Sequence, residues 1–141
     1  MSTVVKNTPI GLIFPLRDGE KSGYFDQSYD SFTAYRMNII NLLRTIPGER
    51  RMNPSFGSRL WTVIFEQNDD LISDKISQIV KEDIAEWIPG VSVSSVQVKY
   101  DDSQTVAQQT DTYKLYIAVT YIVDSIKQED VVDIVLNSPK V

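Results

Sequence analysis

At Pro89-Gly90 the apolar residues of this chain change period, and that switch limits the fold more than any other feature of the sequence. Upstream, Leu71, Ile72, Ile76, Ile79, Val80, Ile84 and Trp87 recur every three or four positions, which is the stripe of an amphipathic helix. Downstream, Val91, Val93, Val96, Val98 and Tyr100 alternate with polar residues. So do Tyr113, Leu115, Ile117, Val119, Tyr121 and Val123, as in strands with one buried face. A slip of phase at Ser94-Ser95 predicts a β-bulge. Helical sequence followed by strand sequence predicts an α+β domain, with helices packed on a small, mainly antiparallel C-terminal sheet.

Two further helices are predicted before the switch. Over residues 31–45, Phe32, Tyr35, Ile39, Leu42 and Leu43, continued by Ile46, form one face, with Ser28 or Asp30 as the cap and Pro47-Gly48 as the stop. A shorter helix is expected over residues 58–65, carrying Leu60, Trp61 and Ile64. Trp61 and Trp87 both lie on apolar stripes and are expected in the core. Residues 10–16 read as a short strand or an extended arm. Residues 101–112 read as a polar hairpin loop, residues 125–130 as a polar turn, and residues 131–136 as a last apolar segment. The chain is thus expected to be a single domain, residues 1–141, with an arm (1–30), a helical half (31–90) and a sheet (91–136). Two or three strands leave exposed edges, which are a liability unless a partner completes them.

Composition narrows the chemistry. The chain has neither cysteine nor histidine, so thiol chemistry, disulfides and the commonest general base and zinc ligand are absent. No catalytic residue, cofactor or metal is expected. No apolar run reaches the length of a membrane span, and no basic-then-apolar leader opens the sequence, so a soluble, unexported chain without a membrane partner is expected. The net charge of −5 is unevenly spread. Residues 36–59 carry Arg36, Arg44, Arg50, Arg51 and Arg59 against Glu49 alone, a local balance of +4. Such a corner suits the chain's own acids, an acidic protein partner or a phosphate backbone. Without interleaved aromatic stacking platforms, nucleic acid ranks below a protein partner.

That corner also carries a motif. Thr45, Pro47, Gly48, Glu49 and Arg50 are followed by Pro54, Phe56 and Gly57, then by Phe65 and Glu66. The order resembles the signature T-x-P-G-E-R, P-x-F-G and F-E of the baseplate wedge and sheath-initiator proteins of contractile phage tails, a lysozyme-like family related to a type VI secretion baseplate subunit. Gly11, Phe14 and Pro15 match a further Gly-x-x-Phe-Pro element of that family. One position departs. Where the family has Glu-Pro-Arg, thought to fasten it to the core bundle of the wedge, this chain has Ile88-Pro89-Gly90.

The resemblance implies a structural subunit of the virion's tail baseplate, assembled in the host cytoplasm and present in six copies. Its sheet, similar to the handshake domain of a sheath subunit, would template the first sheath ring by strand exchange. The sheath subunit and other wedge proteins are the implied partners. Strand addition was expected to involve Tyr113, Leu115, Ile117, Val119, Tyr121, Val131, Ile134 and Leu136. Wedge attachment was expected to involve Arg50, Arg51, Arg59, Ile88 or Pro89. From the residues alone, Glu49 was expected to accept backbone N–H groups at the next turn, Arg50 to meet a helix acid, and Phe56-Gly57 to turn the chain. A peptidoglycan-cleaving enzyme is the alternative implied by the lysozyme-like label. It requires two carboxyl groups across a cleft, and Glu49 and Glu66 are the acids near the motif.

Overall fold

The computed structural model describes residues 9–19, 25–63, 70–101 and 114–137. After a two-stranded ribbon, β1 (Gly11–Leu12) and β2 (Gln27–Ser28), come three helices: α1 (Ser31–Arg44), α2 (Leu60–Val63) and α3 (Asp70–Trp87). Three antiparallel strands follow, β3 (Val91–Asp101), β4 (Lys114–Val123) and β5 (Gln128–Asn137), in the spatial order β3-β4-β5. The fold is α+β.

Local signals explain the helix ends. Asp30 caps α1, its Oδ1 accepting from Thr33 N at 2.6 Å. Thr45 closes it, donating through Oγ1 to Asn41 O at 2.6 Å, and Pro47 prevents continuation. The predicted 58–65 helix starts at Leu60, and its expected end at Ile64 and Phe65 lies outside the described residues.

α1 and α3 cover one face of the sheet. Leu115, Ile117 and Val119 of β4 lie opposite Leu136, Ile134 and Val132 of β5, and all six are buried. Ile39, Leu42 and Leu43 of α1 and Ile76, Val80 and Ile84 of α3 close over them. Trp61 and Trp87 pack partly buried against this core. The register of β3 shifts between Val93 and Ser95. That bulge explains why Val91 and Val93 share a face with Val96 and Val98 despite their phase.

Two expectations need correction. The predicted turn over residues 125–130 is shorter, because β5 already begins at Gln128 and pairs Gln128, Glu129 and Asp130 with Val123, Ile122 and Tyr121. Asp130 points inward, where it accepts from Tyr121 Oη at 3.0 Å and pairs with Arg36 Nη1 at 3.0 Å. A polar triplet thus belongs to the strand because α1 and β4 supply its partners. Second, the strand containing Leu115 to Tyr121 is not an edge. β4 is central and paired along its length on both sides.

Candidate functional site

The motif residues from Thr45 to Gly57 converge into one closed corner between α1 and α2. Gly48 N donates to Pro54 O at 2.7 Å, which pinches residues 48–54 into a loop. Ser58 N donates to Thr45 O at 2.9 Å, binding the loop's exit to its entry. Glu49 folds back instead of forward. Its Oε2 accepts from Ile46 N at 3.1 Å, three residues upstream, so its carboxylate takes up the main-chain N–H just past the C-cap of α1.

Glycine is required at the second foot of this loop. Gly57 has φ +143, and a Cβ there would lie 2.7 Å from Pro47 N and 2.8 Å from Thr45 O. Gly48 also has positive φ (+95) but faces open space.

Arg50 meets no helix acid among the described residues. Its guanidinium carbon stands 4.1 Å from the centroid of the Phe56 ring, and Phe56 in turn meets Trp87 edge-on at 5.3 Å. A three-layer stack therefore ties the loop to the end of α3. In this stack Phe56 is the apolar anchor.

Beneath it sits a group the sequence reading passed over. Asp83 is buried on the inner face of α3. Its Oδ2 accepts from Ser58 Oγ at 2.8 Å and Arg59 N at 3.0 Å, and its Oδ1 from Arg59 Nε at 3.0 Å and Nη2 at 2.9 Å. Arg59 also reaches Glu82 at 2.8 Å. These bonds, that to Glu82 foremost, raise the pKa of the Arg59 guanidinium, and the same contact lowers that of Glu82. The signal was present in the sequence: Asp83 falls on the stripe that runs through Ile76, Ile79, Val80 and Trp87, where an acid needs buried donors.

The expected wedge-facing set is thereby divided. Arg50 and Arg51 are exposed in the loop, and Pro89 is exposed after α3. Arg59 is held by α3, and Ile88 is only 6% exposed, with its side chain in the core. Among the expected strand residues, Tyr113 lies outside the described residues, as does Glu66. The side chains of Leu115, Ile117, Val119 and Tyr121 are buried in the central strand, so they present neither a free edge nor a free face. Val131, Ile134 and Leu136 belong to β5, an edge of the sheet, where Val131 is exposed and Ile134 and Leu136 point into the core. Among the described residues no cluster of acids is arranged to hold a metal, and no helix is long and apolar enough to cross a membrane.

Comparison with known proteins gives this geometry a family. Two solved structures have a similar fold. One is a Geobacter sulfurreducens protein provisionally named a tail lysozyme (TM-score 0.65, 22% identity, covering 79% of this chain and 94% of that one). The other is a chain in the baseplate of the anti-feeding prophage (TM-score 0.64, 23% identity, covering 80% and 83%). A chain of the post-contraction pyocin R2 baseplate has a TM-score of 0.49 at 16% identity, covering 87% and 98%. Curated protein sequences contain no significant match. Residues 35–128, which include the corner, α3 and most of the sheet, match the family described as baseplate wedge protein gp25. The chain belongs to that baseplate wedge family.

Proposed function

We propose that this protein is a structural subunit of a contractile tail baseplate that starts the sheath by offering the outer edge of β5 to a strand of the first sheath ring. The supporting observation is β5 itself. It pairs with β4 through ten consecutive residues without a bulge, and among the described residues no strand lies on its other side. The opposite edge, β3, carries the bulge at Ser94, a feature that twists an edge away from further pairing. Addition to β5 would rest on main-chain hydrogen bonds, with Val131 and the alternate outward side chains setting register.

In this reading the motif corner is scaffolding and attachment, and no reaction is carried out. Glu49 and Asp83 are both spent on backbone and side-chain donors of the corner. Other baseplate proteins hold the helical half, in six copies if the particle has the hexagonal baseplate the family implies.

Co-expression with the sheath subunit encoded beside it tests the proposal. A complex that survives high salt is expected, since main-chain pairing is little screened. Separately folded partners that fail to associate would refute sheath initiation. Deleting β5 would be a poor test, because Val132, Ile134 and Leu136 are core residues and their loss would unfold the domain.

A further inference from the structure

We infer that the tip of the 48–54 loop is a preformed docking knob for an acidic segment of a neighbouring baseplate protein, with Met52 as its apolar anchor and Arg51 as its charge contact. This inference rests on the structural-subunit reading above and adds a surface and a partner chemistry to it.

Three observations carry it. The first is the fate of the arginines. Arg36 is taken by Asp130 and Arg59 by Glu82 and Asp83, whereas Arg44 and Arg51 form no ion pair among the described residues. The chain has 19 acids against 14 bases, so unpaired arginines do not reflect a shortage of internal acids. The second is Met52, which is 98% exposed beside Arg51, with Ile46 41% exposed at the base of the loop. A lone surface methionine has little meaning. Here it stands almost fully exposed on a loop that carries unpaired positive charge on an acidic protein.

The third is rigidity. The loop is pinned by the Gly48–Pro54 and Ser58–Thr45 hydrogen bonds, by the Glu49 carboxylate and by the Arg50–Phe56–Trp87 stack. A pinned loop loses little backbone entropy on binding, which leaves mainly the side-chain freedom of Arg51 and Met52 to be given up. Carboxylates around a shallow apolar recess would match Arg51 and Met52 together. A phosphate backbone would match only the arginine. Phe56, the nearest aromatic, is already covered by Arg50 and Trp87 and offers no stacking platform.

The test is co-expression of the full chain with the baseplate proteins encoded beside it, comparing wild type with Arg51→Glu and with Met52→Ser. Both side chains are exposed, and unchanged melting temperatures would verify that both variants fold. The expected result is a wild-type complex that each substitution weakens about tenfold or more, while binding to the sheath subunit is retained. A wild-type complex indifferent to both substitutions would overturn the knob and leave the baseplate reading standing. No complex with any of these proteins would overturn both. Salt-sensitive binding of a short DNA duplex, lost in Arg51→Glu but unaffected by Met52→Ser, would reassign the tip to nucleic acid. Self-association abolished by either variant would reassign it to a second copy of this chain.

Discussion

Arg59 and Asp83 form the fastening between the motif corner and α3: Nε and Nη2 of the arginine both reach Oδ1, at 3.0 and 2.9 Å, while Oδ2 is left for Ser58 Oγ and Arg59 N. All four contacts are donated to the carboxylate, so both of its oxygens must accept. Asp83→Asn replaces one acceptor with a donor facing other donors. It is expected to cost about 2–4 kcal/mol, close to the cost of Asp83→Ala, by leaving buried donors unmet. Arg59→Ala removes two of the four donors and the positive charge, while Ser58 Oγ and the main-chain N–H of residue 59 remain, and is expected to cost about 1–3 kcal/mol. Urea unfolding measures all three, and an Asp83→Asn variant within about 0.5 kcal/mol of wild type would contradict the account.

The two positive-φ glycines of the corner separate backbone preference from space. Gly57→Ala meets main-chain atoms below 3 Å and is expected to cost about 3 kcal/mol or more, or to prevent folding. Gly48→Ala has open space around its new methyl and pays only for its φ, about 1–2 kcal/mol. Equal melting temperatures for the two variants would show that the close approach at Gly57 is wrong.

Burial, and then the hydrogen bond it donates to Asp130, push the pKa of Tyr121 well above its ordinary value. A pKa raised in the folded state gives stabilisation that is complete below about pH 10, the unfolded value, and is lost as pH rises through the folded one. Wild-type stability is therefore expected to fall more steeply above pH 10 than that of Tyr121→Phe. At neutral pH that variant should lose about 1 kcal/mol with its hydrogen bond to Asp130. Denaturant midpoints across the alkaline range check both statements.

At the acid end the sign reverses. The Thr33 N–H lowers the pKa of Asp30, so the cap's stabilisation is present above about pH 3.9 and is lost as pH falls through the folded value. Asp30→Ala should cost about 1 kcal/mol at neutral pH, with the difference from wild type shrinking in acid. Thermal melts at both pH values measure it.

Periodicity made the three helices, the bulge at Ser94 and the inward faces of β4 and β5 legible, because each reports which side of an element is apolar. It cannot report strand order, so the cleanest alternating strand read equally well as edge or centre and proved to be central. Asp130 and Asp83 were missed for a related reason. A single acid inside a structured element looks like a turn or a solvated face until distant partners, Arg36 and Tyr121 in one case and Ser58 and Arg59 in the other, come together around it. Ile88 stands at a position of the family triplet, but its side chain is apolar and packs into the core, which the triplet alone does not indicate.

Hydrogen exchange of the complex with the sheath subunit tests strand addition most directly. Every second amide of an edge strand points away from its only neighbour and exchanges until a partner strand arrives. The account predicts new protection at alternate amides of Gln128–Asn137, with the already paired β4 unchanged. Complex formation that leaves β5 exchanging as in the free protein, or that protects β3 instead, would contradict it.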